Sequence, residues 1–183
     1  MTTVLPLPSC AADAPPGTEA RRIGRAAIRA LYGELALGPK PGLVSPLDNG
    51  SHRDMSMETF LRSLFSLRSF FPRAAQAGAD GAPFAALQRL GIEAERRMLV
   101  ATGGINTHKG AVFNLGLLAA ASGHLGASRP AEEVCRTVAR RWGAAILAAT
   151  PAVPASHGLQ AVARYGASGA RGEAAAGYPT LVG

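Results

Sequence analysis

Ala101-Thr102-Gly103-Gly104-Ile105-Asn106-Thr107-His108-Lys109-Gly110 is the stretch on which the fold turns. It lies between two apolar helical patterns and gathers three glycines, an amide, two hydroxyls, an imidazole and an ammonium. Glycine permits positive φ and close backbone approach, so N–H groups can converge on an anion there. The segment also opens the next helix, whose N-terminus adds free N–H donors and partial positive charge. With Lys109, these features describe a phosphate cradle. It is not the P-loop of nucleotide hydrolases: counting from Gly103, His108 stands where that motif has glycine and Gly110 where it has Ser or Thr. Taken alone, the same residues read equally as a Gly-rich turn between helices. What favours a functional reading is a second polar, Pro/Gly-rich knot, Gly38 to Met55.

Outward from the turn, the periodicity is helical on both sides. Upstream, Pro83 leads into Phe84, Leu87 and Leu90; Gly91 interrupts, and Ile92 to Val100 resumes with Met98 and Leu99 inward. Glu95 lies in that second short helix, whose C-terminal end points at the turn, so chain proximity sets it near His108. Downstream, Ala111 to Ser122 is apolar nearly all round, as a helix in the middle of a bundle is. Pro130 begins another through Val134, Val138, Trp142, Ile146 and Leu147, and Thr150-Pro151 ends it. Glu132 and Glu133 stand in its first turn, where the macrodipole prefers them. His157 to Tyr165 suits a short helix, and Gly166 to Glu173 is another Gly-rich segment with a charged pair, Arg171 and Glu173.

Residues Met1 to Gly17, with four prolines, read as a flexible tail; residues 18–183 read as one domain. From Thr18 a helix carries Ile23, Ala27, Ala30, Leu31 and Leu35 on one face, with Glu34 close to that stripe as an edge residue. Met57 to Phe71 predicts one amphipathic helix with Phe60, Leu64, Phe65 and Phe71 in its core face, and Gln76 to Pro83 a connection. No strand pattern convinces and no repeat appears. The expected fold is an all-α multi-helix bundle whose Gly/Pro-rich loops form the site.

Composition bounds the partners. Alanine and leucine supply the apolar content, which favours helices. The chain has 183 residues, with 19 basic against 12 acidic, and all the basic ones but Lys40 and Lys109 are arginine. A net charge of +7 attracts polyanions such as nucleotides or CoA-like molecules. No arginine run or aromatic stripe marks a nucleic-acid groove, so that partner ranks low. Cys10 and Cys135 form neither a disulfide framework nor a metal pair, and with no signal-peptide pattern or membrane-length apolar run the expected location is the cytoplasm.

In the upstream knot, two prolines hold Lys40 on a stiff, extended backbone. A long, rigid, polar loop inside a helical domain positions something. His52 and Asp54, two apart, can share a ligand or metal; alternatively Asp54 or Ser56 caps the next helix.

Pro39-Lys40-Pro41-Gly42-Leu43-Val44, Gly50-Ser51-His52-Arg53-Asp54-Met55 and Thr102 to Gly110 resemble the triphosphoribosyl-dephospho-CoA synthase family. Gly91-Ile92 with Glu95, Phe113 to Leu118, Gly169 to Glu173 and Gly177-Tyr178-Pro179 extend the resemblance, in order, over roughly Glu34 to Thr180. It implies an enzyme that takes ATP and 3'-dephospho-CoA, expels adenine, and joins the triphosphoribosyl unit to the 2'-hydroxyl. The product becomes the prosthetic group of the acyl carrier subunit of citrate lyase or malonate decarboxylase. Leu43 to Pro46 and Phe60 to Phe65 resemble the malonate decarboxylase branch more. Two departures stand out. Ser45 replaces an Asp found in many relatives, and relatives continue past Gly183 with further helices, so a truncated member is expected.

The implied chemistry has an oxocarbenium-like transition state at ribose C1. It needs negative charge near C1, a proton for the departing base and a base for the hydroxyl. The resemblance gives Lys40, Gly103, Gly104, Asn106, His108 and Lys109 to the phosphates. It gives Asp54 and Glu95 to Mg²⁺ or to general-base duty, without choosing between them. His52 protonates adenine or contacts phosphate, and Arg171 and Glu173 serve the CoA side or form a structural pair. The rival readings are a non-catalytic nucleotide- or CoA-binding fragment and, from net charge alone, a helical nucleic-acid binder.

Overall fold

The first helix, α1 (Thr18–Ala36), buries Ala20, Gly24, Ala27 and Leu35. A computed structural model describes residues 15–126, 128–149 and 169–182 of the chain. Gly17, ahead of α1, donates its N–H to Gln76 Oε1 at 2.9 Å, so the expected tail is tied down at its end; residues 1–14, Cys10 among them, lie outside the described part. The helix stops where Gly38-Pro39 approaches, because the residue before a proline disfavours the α region.

The single helix expected over Met57 to Phe71 is two: α2 (Met57–Leu67) and α3 (Phe70–Ala79). Pro72 is the cause. It has no N–H to give the Arg68 carbonyl, and its ring would collide with that carbonyl in a continuous helix. In the first turn of α3 neither demand arises. Phe65 stands exposed at the end of α2 rather than in the core. Of the connection expected over Gln76 to Pro83, residues 76–79 continue α3 and residues 80–83 remain a turn; Gly78 lets α3 meet α5 (Lys109–Leu125) at backbone contact. A Cβ on Gly78 would lie 1.9 Å from the Ala120 carbonyl oxygen, and one on Gly123 1.9 Å from that of Ala75. This reciprocal seam makes α3 and α5 the tightest pair in the bundle.

α4 (Phe84–Ala101) runs without interruption through Gly91, contrary to the expected break. Packing against its neighbours outweighs the roughly 1 kcal/mol helix penalty of one glycine. Met98 is buried, whereas Leu99 faces outward. α5 is the central helix, as its all-round apolar sequence required, with Val112, Leu117, Ala119, Ala120 and Ala121 buried. α6 (Ala131–Ala148) follows, with Trp142 buried and its Nε1–H donated to the Ala82 carbonyl; Leu147 is exposed. The Gly-rich segment becomes α7 (Gly169–Ala175) from Gly169, and α8 (Pro179–Val182) follows. Residues 157–165 lie outside the described part. The described residues are all-α, without a strand.

Two main clusters form the core. One joins Phe84, Leu87, Leu117, Val138, Trp142, Ile146 and Tyr178. The other joins Ala27, Leu67, Phe70, Phe71, Ala94, Met98 and Val112. A smaller cluster at one end, Leu35, Val44 and Leu64 with Met55, Met57 and Phe60 beside them, ties the 38–56 loop to α1 and α2. That end carries the residues of interest. No described helix is long and apolar enough to cross a membrane.

Candidate functional site

The turn after α4 is built first as a helix terminus. Gly104 donates its N–H to the Leu99 carbonyl at 2.7 Å and Gly103 to that of Val100 at 3.5 Å, with positive φ at both. That is the Schellman arrangement, in which glycine at the left-handed position lets the next amide reach back over the last turn. The amides of Gly103 and Gly104 are therefore engaged inside the protein. Thr102 completes the knot, its hydroxyl lying 2.9 and 2.6 Å from the Met98 and Ile105 carbonyls, which share its one proton. Asn106 then starts the next helix, its Oδ1 accepting from Lys109 N–H at 3.2 Å. No described residue accepts from the amides of Ile105, Thr107, Gly110 or Ala111, and Thr107 Oγ1 is buried without a partner. The donors left for an anion thus lie beyond the glycines, on Ile105, on Thr107 and on the first turn of α5.

His108 is fixed deep in this corner. It is 6% exposed, and its Nδ1 lies 2.6 Å from the hydroxyl of Ser63, which is fully buried. Phe60 packs T-shaped against the ring at 5.0 Å between centroids, and the His108 backbone N–H meets Met98 Sδ at 3.3 Å. Burial lowers the His108 pKa to about 4 against a smaller opposing pull from the Glu34 carboxylate, so the ring is neutral at pH 7. Next to it, Lys109 Nζ stands 3.7 Å from Glu95 Oε2, both side chains partly exposed. Burial raises the Glu95 pKa, and the Lys109 ammonium pulls it back down.

The upstream knot meets this corner through α1 and α2. Lys40 Nζ donates to the Glu34 carbonyl at 2.8 Å and to Glu34 Oε1 at 2.9 Å, and its side chain is only 9% exposed. It clamps the C-terminal end of α1, and the same Glu34 carboxylate acts electrostatically on His108. Ser56, not Asp54, caps α2, accepting from Thr59 N–H at 3.3 Å. Asp54 is exposed and takes no hydrogen bond or ion pair among the described residues; His52 is half-buried, and its backbone N–H bonds to the Asn49 carbonyl. Ser45 Oγ accepts from Leu47 and Asp48 N–H groups, a turn-capping role that an aspartate oxygen would also fill.

The structure thus gathers Lys40, His108, Lys109 and Glu95 around the ends of α1, α4 and α5 and the flank of α2. Arg171 works elsewhere: its guanidinium donates to the Ile146 and Ala149 carbonyls and closes the C-terminal end of α6. Glu173 accepts from the Thr180 hydroxyl at 2.7 Å. In the sequence Ser63 and Phe60 look like ordinary positions on an amphipathic helix, and Glu34 like an edge residue. A serine amid Leu61, Leu64 and Leu67 was the one available signal.

Among the described residues no three His, Cys, Asp or Glu side chains gather into a metal cage. Mg²⁺ ordinarily takes one or two carboxylates plus phosphate oxygens and water, and the unpartnered carboxylate of Asp54 suits that mode.

The chain belongs to the ATP:dephospho-CoA triphosphoribosyl transferase family, whose model (CitG) matches residues 20–183. A probable 2-(5''-triphosphoribosyl)-3'-dephosphocoenzyme-A synthase from Acinetobacter calcoaceticus is 39% identical over 89% of this chain and 57% of its own length. Its counterpart from Vibrio cholerae serotype O1 is 35% identical over 88% of this chain and 56% of its own. The one from Streptococcus equi subsp. zooepidemicus is 38% identical over 87% and 62%. The chain therefore spans little more than half the length of these relatives. No solved structure matches it at a significant level.

Proposed function

We propose that this chain carries the transfer of the triphosphoribosyl unit of ATP to the 2'-hydroxyl of 3'-dephospho-CoA, releasing adenine. The observation behind this reading is the family match over residues 20–183, which includes both polar corners and the helices that hold them. In the reaction the hydroxyl oxygen bonds to ribose C1 as the bond from C1 to the adenine nitrogen breaks. The hydroxyl proton passes to a protein base and adenine takes up a proton.

Glu95 is assigned as the base, because burial makes its carboxylate a better proton acceptor. Lys109, the free amides at the start of α5 and the orphan Thr107 hydroxyl hold phosphate oxygens. Asp54 holds Mg²⁺, which when bound offsets the triphosphate charge. His52 faces adenine or phosphate. Lys40 acts on phosphate only by leaving Glu34; otherwise it keeps α1 in place. Arg171 and Glu173 hold the last helices rather than the CoA. The product is the prosthetic-group precursor for the acyl carrier protein of malonate decarboxylase, the branch that Leu43 to Pro46 and Phe60 to Phe65 resemble, and the reaction takes place in the cytoplasm.

Incubation with ATP, 3'-dephospho-CoA and Mg²⁺, read by chromatography and mass spectrometry, tests this. Equal amounts of adenine and adduct are expected. ATP binding without adenine would instead support the rival reading, a non-catalytic nucleotide-binding member of the family.

A further inference from the structure

We propose that Ser63 is a positioning residue of the phosphate corner: its hydroxyl holds His108 as the neutral Nε2–H tautomer, so the ring offers one hydrogen-bond donor and no charge to the substrate. The proposal rests on the reading of the corner as the place where triphosphate binds.

The argument is one of proton accounting. A neutral imidazole carries one N–H, and a serine hydroxyl has one proton to give. Ser63 is 0% exposed, and among the described residues its hydroxyl bonds only to His108 Nδ1, at 2.6 Å. Were Nδ1 protonated, that hydroxyl would be a buried donor with no acceptor, an arrangement folded proteins avoid. Ser63 therefore donates, Nδ1 accepts, and the imidazole proton sits on Nε2. Neighbouring groups limit how far the ring can turn. Phe60 packs against it at a steep angle, and the backbone of His108 is held on Met98. Nε2–H finds no acceptor among the described residues, so it is the ring donor left for a ligand. Of the charged groups near the ring, Glu34 acts on it from α1, with Lys40 bonded to that carboxylate; Lys109 is its chain neighbour, paired with Glu95. A neutral donor beside the ammonium of Lys109 orients a phosphate oxygen without adding charge repulsion.

The test is the ¹⁵N-coupled imidazole spectrum of the full chain at pH 7, with His108→Gln identifying the His108 signals among the four histidines. Expected are a pyridine-like Nδ1 and a pyrrole-like Nε2, with the Nε2 proton shifting on addition of ATP. Ser63→Ala should mix the tautomers and weaken ATP binding about tenfold, the scale of one lost charge-assisted contact, while turnover at saturating ATP changes less than threefold. A purely structural serine would lower the amount of folded protein and move neither spectrum nor affinity. An Nδ1–H tautomer or an imidazolium at pH 7 in the parent chain would overturn the proposal, with no variant needed. If the parent chain releases no adenine, the transfer reading fails by itself, and the spectrum still decides the role of Ser63.

Discussion

Lys40 and Lys109 bring the same charge into opposite surroundings. Lys40 is enclosed and bonded twice to Glu34; Lys109 is open and leans on a half-buried carboxylate at longer range. Lys109→Ala is thus expected to leave helix content by circular dichroism unchanged and to abolish adenine release. Lys40→Ala should instead cost about 1.5–3 kcal/mol of stability in urea unfolding, since it frees both the helix-end carbonyl and a carboxylate. Asp54→Asn should lose turnover at unchanged stability, because Ser56 does the capping; a stability loss of about 1 kcal/mol would return the cap to Asp54. For His108 the folded pKa of about 4 lies below the ordinary 6.5, so the unfolded chain takes up its proton first. The stability this neutral ring contributes is complete above pH 6.5 and lost as pH falls through about 4; each unit is worth about 1.4 kcal/mol. Glu95, with a raised pKa, works in the other direction, its contribution lost as pH rises through that value. Urea midpoints between pH 4 and 7 should rise with pH in the parent and flatten in His108→Gln. The polar residues of both corners were legible because their types and spacing announce chemistry. Their partners were not: Ser63 lies 45 positions from His108, and no local pattern encodes that meeting.

Helices were legible where one rule governed and failed where two competed. The central α5 followed directly from its apolar circumference. The break between α2 and α3 did not, because both halves keep their apolar faces on the period of one helix while Pro72 forbids the continuous backbone. Gly78 and Gly91 looked like interruptions, yet each lies inside a helix; for Gly78 the reason is a facing backbone that leaves no room for a Cβ. Gly123→Ala therefore tests the seam between α3 and α5. With the Ala75 carbonyl oxygen 1.9 Å from the added carbon, the helices must part, and a loss of about 3 kcal/mol or more is expected in denaturant unfolding. Gly110→Ala, which meets nothing within 4 Å, is the control and should fall within about 1 kcal/mol of the parent.

At the scale of the molecule, the two main core clusters are not separate bodies, since α5 contributes Leu117 to one and Val112 to the other. Unfolding should be a single cooperative event. Fluorescence of Trp142, the chain's one tryptophan and a member of the first cluster, should lose its native signal at the same midpoint as far-ultraviolet dichroism from all helices; separated midpoints would divide the core in two. The all-helical class was readable from helical periodicity and alanine and leucine content, whereas the convergence of both corners at one end depends on contacts of α1 with α2 and α5 and on the Ser63–His108 bond. Lysine scarcity has a practical consequence at this scale. Of the only two such side chains in the sequence, one is sequestered at 9% exposure and the other stands open at 41%. An amine-reactive dye should consequently mark Lys109 of the unmodified protein in preference to Lys40, and shielding of that mark by ATP would map occupancy without a single engineered residue.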